Sequence, residues 1–200
     1  MKTNTNASLR YMTKIAVLSA AAFILMLFEF PLPFLAPSFY ELNFSDVFAL
    51  LGSFALGPLA GVLIEFFKIL LNLIFTGTDT AFVGEFSNFV MGCAFVLPAA
   101  LLYRYRKNIR MAIFGLALGT AVLAVVSGLL NYYVMIPMYS NLYGAPIDAI
   151  LAMGAAINPA IGNLWSFVLL AVVPFNLLKG VACSIITFFL YKHVSPILHK

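Results

Sequence analysis

The chain has 200 residues, of which 64% are hydrophobic and 9% charged, with a formal net charge of +4 and a mean hydropathy of +1.05. Soluble domains carry about 45–50% apolar and about 25% charged residues, so this composition excludes an ordinary soluble globule. The excess falls in several long runs, which marks a polytopic membrane protein with room for about six or seven spans of ~20 residues and none for a soluble catalytic domain.

Lys2, Arg10 and Lys14 surround the start of a first helix predicted over 12–28. A basic segment before an apolar run also resembles a signal peptide, but no A-x-A-like cleavage site follows, so the helix is read as retained. Ala16 and Ala20 make a small-residue stripe that lets another helix approach closely in lipid. Packing within the chain and packing on a partner subunit both fit it. Next comes EFPLPFLAPSFYELNFSD, residues 29–46, in which Pro31, Pro33 and Pro37 forbid a continuous helix. This stretch is too apolar for a solvated loop and too polar to span lipid, so it is expected to pack over something at the membrane surface.

Helices predicted over 44–56 and 59–75 are separated by a Gly57-Pro58 turn. The second carries Glu65, Lys68 and Asn72. Glu65 and Lys68, at i,i+3, can pair and so lower the cost of charge at membrane depth; a place in a substrate pathway is the other reading. A polar break over 76–86 leads into a fourth helix, 85–103, with Asn88 near its start. That helix exits into YRYRKNIR, whose Arg104, Arg106, Lys107 and Arg110 are explained by positive-inside orientation and not by nucleic-acid binding. A fifth helix, 111–136, carries Asn131, Tyr132 and Tyr133 towards its far end, and Asn131 needs a polar partner in so apolar a setting. Residues 137–173 read as an irregular outer connection that partly re-enters the membrane, and a last helix, 174–191, is predicted to start at Pro174. Cys93 and Cys183 read as buried free thiols.

Six spans result. The N-terminus, the Gly57-Pro58 turn, YRYRKNIR and a C-terminus bearing Lys192, His193, His199 and Lys200 share one side, which the charges make cytoplasmic. The outer ends then gather loop 29–46, loop 76–84, Asn88, Asn131 and the sequence PFNLLKG, where Asn176 and Lys179 share a helix face. An aromatic and aliphatic site with a few amides, one cation and one or two carboxylates suits a flat, uncharged, amphipathic organic molecule. A phosphorylated one fits less well, because the outer loops hold no arginine cluster. The sequence has no phosphate-binding loop, no Ser–His or Cys–His constellation, no metal-ligand spacing and no clear inverted repeat. These traits describe a binding unit that draws its energy from partners. A proton-coupled secondary carrier using Glu65 and Lys68, and a small intramembrane enzyme or structural protein, are the alternatives.

The series FPLPFL (30–35), FSDVFALLGSFALGPLAG (44–61), FTGT (75–78) and PFNLLKG (174–180), in this order and spacing, resembles the riboflavin-specific S components of energy-coupling-factor (ECF) transporters. The resemblance covers nearly the whole chain. It implies an all-α fold of six transmembrane helices, a single substrate-binding domain over 1–200, and a vitamin site near the extracellular face with the first loop as its gate. Riboflavin would be the transported ligand, with FMN or another vitamin left open, and there would be no metal, redox cofactor or catalytic residue. The implied partners are a transmembrane coupling subunit and two cytoplasmic ATPases, in the plasma membrane of a prokaryote with both termini cytoplasmic. Ala16 and Ala20 would form the docking surface. By similarity and position, Asn131, Asn176 and Lys179 would meet the polar groups of the vitamin, and Glu41, Leu42 and Asn43 would contribute from the first loop. Asn72, Thr76 and Gly84 complete the expected site, while Asp46 is expected to cap the second helix.

Overall fold

A computed structural model describes residues 2–144 and 146–198, apart from the side chains of 2–7, 143 and 192–198. The terminal groups Lys2, Lys192, His193, His199 and Lys200 therefore lie outside what is described. Helix α1 (Lys2–Met26) leads into the proline-rich loop, where short strands β1 (Phe30–Pro31) and β2 (Glu41–Leu42) pair. Helices α2 (Asp46–Leu56) and α3 (Pro58–Phe75) form a hairpin about Gly57, followed by α4 (Val83–Tyr105) and α5 (Ile109–Leu130). Gly57 has φ +107°, a backbone region that side chains resist, and Pro58 then suits the first turn of α3.

The last third of the chain is more helical than its sequence suggests. Helix α5 does not end before Pro137, because a π turn over Asn131–Met135 carries it into α6 (Ile136–Tyr143). After α7 (Ile147–Ile157), α8 (Leu164–Phe167) passes through a second π turn, Val168–Val172, into α9 (Val173–Leu198). Pro174 therefore does not begin a helix; it lies inside one. A proline removes a hydrogen bond and crowds the preceding turn. The wider turn just before each proline absorbs both effects, as membrane helices permit. The predicted spans 111–136 and 174–191 thus become Ile109–Leu142 and Leu164–Tyr191, and the irregular connection expected over 137–173 is mostly helix.

Among the described residues, five segments are long and apolar enough to cross a membrane: Ser8–Met26, Pro58–Phe75, Val83–Tyr105 and the two just given. The sixth predicted helix is α2. With 11 residues it covers about 16 Å, roughly half of a ~30 Å hydrocarbon core. Helix α7 is equally short. What allows α2 to stay short is its position, since it packs against α1, α3, α4 and α9 at once. Val47, Ala49, Leu50 and Leu51 are all exposed by 1% or less. Close helix contact elsewhere rests on small residues: a methyl group on Gly115 of α5 would lie 2.7 Å from the Ala99 carbonyl oxygen of α4. A second apolar cluster, including Ala36, Leu42, Ile136, Ile150 and Phe167, joins the loop to α6, α7 and α8.

Candidate ligand-binding site

Since α2 starts only at Asp46, the bundle is hollow above its first turn. The cavity there measures about 220 Å³. Its walls come from Met26 at the end of α1, from Glu29, Phe39, Tyr40, Glu41 and Asn43 of the loop, and from Asn72 at the end of α3. Thr80, Gly84, Glu85, Asn88 and Met91 enter from around the start of α4; Asn131, Met135 and Tyr139 from the first π turn and α6; Phe175, Asn176 and Lys179 from α9. A larger hollow of about 560 Å³ between α5 and α9 is lined by aliphatic and phenyl groups with only Thr120 and Ser184 among them, which leaves little for a polar ligand to bind.

The loop over the cavity is built to hold its shape. Phe30 pairs with Leu42 and Pro31 with Glu41, and Asn43 Nδ2 donates to Glu29 Oε2 at 3.4 Å, so the loop is closed at its base. Asn43 Oδ1 in turn accepts from the Ser45 hydroxyl at 2.7 Å, fixing the entry to α2. At the tip, the Tyr40 hydroxyl donates to Asn131 Oδ1 at 2.6 Å, with its ring 5.7 Å from that of Phe175. Burial, reinforced by Tyr139, raises the Tyr40 phenol above its ordinary pKa and keeps it a donor.

The two asparagines on the long helices are held alike. Asn131 Nδ2 donates to the Ser127 carbonyl at 2.8 Å, and Asn176 Nδ2 to the Val172 carbonyl at 3.0 Å. Each amide thus spends an N–H on its own helix; the Asn176 oxygen is left for a ligand, whereas the Asn131 oxygen already accepts from Tyr40. Asn131 sits in one π turn, and the carbonyl that holds Asn176 belongs to the other.

Beneath the cavity runs a chain of four charges. Lys179 Nζ lies 3.1 Å from Asp46 Oδ2, Asp46 Oδ1 is 2.7 Å from Lys68 Nζ, and Lys68 Nζ is 2.6 Å from Glu65 Oε2. All four are buried, and two acids balance two bases, which matters because breaking a buried pair leaves a charge that costs about 3–5 kcal/mol. Asp46 is therefore no cap. Ser45 occupies the N-cap position without capping the helix through its side chain, and Asp46, the first helical residue, commits its carboxylate to the two lysines. Glu65 and Lys68 pair with each other, and neither lines the cavity. Glu29, by contrast, is at the cavity, and burial, then the charge of Glu41, raises its pKa.

Of the residues expected at the site, Glu41, Asn43, Asn72, Gly84, Asn131, Asn176 and Lys179 share the cavity. Leu42 and Thr76 do not line it. Leu42 alternates away from Glu41 along β2 into the apolar cluster, while Thr76 is exposed and donates to Asn72 Oδ1 at 3.2 Å. Ala16 and Ala20 are both exposed on α1, so the stripe is not used for packing within the chain. Sequence reasoning missed Glu29, Tyr40, Glu85, Tyr139 and Phe175 as walls of the cavity. For Glu85 there was a usable signal, its i,i+3 spacing with Asn88 just after a polar break. Tyr139 had none, because it depends on the helix continuing past Pro137.

The family model for the ECF transporter substrate-specific component matches residues 10–191. Riboflavin transporter RibU of Staphylococcus aureus (strain TCH60) is 35% identical over 199 residues, covering 100% of this chain and 97% of that protein. Riboflavin transporter FmnP of Bacillus subtilis (strain 168) is 31% identical over 183 residues, covering 91% and 90%. A solved structure of the S component of a bacterial ECF transporter superposes with a TM-score of 0.73 at 35% identity, covering 96% of this chain and 99% of that one.

Proposed function

The chain belongs to the substrate-specific components of ECF transporters, and we propose that it is the riboflavin-binding component of such an importer, a transport subunit and not an enzyme. The observation that carries the choice of ligand is the convergence of two amides and one ammonium in an aromatic-walled cavity under a preformed loop. The pyrimidinedione edge of a flavin presents an N–H between two carbonyls. The Asn176 oxygen can accept from that one donor, and Lys179 can donate to a carbonyl. Phe39, Tyr40 and Phe175 suit the ring faces, and Glu41, Asn43, Asn72 and the Gly84 segment suit the ribityl hydroxyls. Leu42 supports the loop through the apolar cluster and Thr76 donates to Asn72, so neither meets the ligand.

At about 220 Å³ the cavity is smaller than the ~300–1,000 Å³ of ordinary ligand clefts, so loop 29–46 must give way to admit the vitamin. The chain is a multi-pass membrane protein, and we place the cavity on the extracellular side of a prokaryotic cell membrane with both termini cytoplasmic. Support comes from Arg104, Arg106, Lys107 and Arg110, which cluster at the α4–α5 turn, the opposite end of α4 from the cavity. A transmembrane coupling subunit bearing two cytoplasmic ATPases would supply the energy, docking on the exposed Ala16–Ala20 stripe. One single-domain unit over 1–200 suffices for this role.

Titration of the purified protein with riboflavin, FMN, thiamine and biotin, read by quenching of flavin fluorescence and by calorimetry, tests the reading. Riboflavin is expected to bind in preference to the other vitamins. A colourless protein that takes up no riboflavin at micromolar concentration sinks it.

A further inference from the structure

Asp46 does not line the cavity, yet it is the anionic group bonded to the cavity's lysine. Its two oxygens are divided between two ammoniums, Oδ2 to Lys179 at 3.1 Å and Oδ1 to Lys68 at 2.7 Å, and Lys68 is fixed from its other side by Glu65. Asp46 itself cannot drift, being the first residue of a helix that packs against α1, α3, α4 and α9. Lys179 has a long, flexible stem, and without a partner its ammonium could adopt many positions. Its other charged neighbours on the cavity walls are the acids Glu29, Glu41 and Glu85, towards which an untethered ammonium would be drawn.

We propose that Asp46 is the positioning residue of the ligand site: it holds the Lys179 ammonium at the cavity floor and cancels its charge, so that Lys179 serves a neutral ligand as an oriented hydrogen-bond donor. The proposal rests on the riboflavin reading above. It also assigns the discrimination between the uncharged vitamin and its phosphate ester to a residue that touches neither. With Asp46 charged, Lys179 is already neutralised, and three carboxylates on the walls oppose an anionic ligand. Without that charge, Lys68 keeps Glu65, and Lys179 becomes an uncompensated cation in the cavity.

The test is a titration with riboflavin and with FMN of the wild-type protein, Asp46→Asn, Lys179→Gln and the double variant, together with thermal unfolding of each. Asp46→Asn keeps the shape and removes the charge; it is expected to weaken riboflavin binding about tenfold or more, the scale of one charge-assisted hydrogen bond. It is also expected to raise the affinity for FMN relative to riboflavin, which a purely structural defect would not do. In the double variant the net charge of the network is again zero, and riboflavin binding should equal that of Lys179→Gln alone. If Asp46→Asn fails to fold, the double variant carries the comparison. Equal binding by the wild type and Asp46→Asn, an unchanged FMN-to-riboflavin ratio, or a double variant much weaker than Lys179→Gln overturns the assignment. So does a double variant that cannot fold when Lys179→Gln folds. A wild-type protein that binds no riboflavin overturns the functional reading and this assignment together, whereas the other outcomes leave that reading standing.

Discussion

The Tyr40 hydroxyl stands 2.6 Å from Asn131 Oδ1, tying the tip of the first loop to a helix 91 positions later. The bond fastens the lid to a wall of the cavity. Tyr40→Phe keeps the ring contacts with Phe167 and Phe175 and removes only this bond. The unliganded protein should lose about 1 kcal/mol of stability, and riboflavin should associate up to about fivefold faster because the lid opens more readily. Stopped-flow quenching measures the rate; an unchanged value would show that the contact does not restrain the loop.

Glycine at position 92 makes room for the buried network. A methyl group there would lie 2.6 Å from the Glu65 carboxyl carbon, pushing Glu65 away from Lys68. Gly92→Ala is expected to cost on the order of 3 kcal/mol, seen as a lower unfolding midpoint in detergent. Gly162→Ala is the control, since a methyl group there meets nothing within 4 Å, and it should shift stability by less than about 0.5 kcal/mol.

Ala16 and Ala20 face outward, so bulk added there has nothing within the chain to displace. Ala16→Leu and Ala20→Leu should leave riboflavin affinity within about twofold of wild type, in keeping with exposed substitutions. Uptake by cells should nevertheless collapse. A comparable loss of affinity in the isolated subunit would place the stripe's role inside the chain.

Glu29 gives the loop a dependence on pH. Its folded pKa is raised, by burial and then by the charge of Glu41, so the folded loop holds its proton more tightly than the unfolded chain does. Such a group stabilises the closed loop when protonated, and its contribution disappears as pH rises through the raised pKa. Thermal stability should therefore gain from mild acid in the wild type, and Glu29→Gln should flatten that slope while stabilising the loop at neutral pH. Parallel slopes in the two proteins would assign the effect to other groups.

Much of this molecule can be read from its sequence because lipid narrows the choices. Long apolar runs must be helices, and prolines spaced two apart must be a loop, so the bundle, the lid and the amide and lysine residues of the cavity are all visible in the order of residue types. Pro137 and Pro174 misled because a wider turn before each lets the helix run on, and Pro98 lies within α4 even without one. Asp46 misled for a different reason. An acid at the start of a helix is ordinarily a local cap, and nothing nearby in sequence reveals lysines 22 and 133 positions away as its partners. Leu42 and Thr76 were misplaced by neighbourhood: each adjoins the site in sequence, but one points to the opposite face of a strand and the other lies beyond the rim.

The shortness of α2 has a further mechanical meaning. Its buried side chains fill one half of the bundle, packed with Phe95, Val96, Ala99 and Leu123, and the cavity occupies only the other half. The protein is thus shaped like a cup and not like a tube. A ligand entering under loop 29–46 therefore meets a floor at the first turn of α2, below which Val47, Leu50 and Leu51 are packed shut.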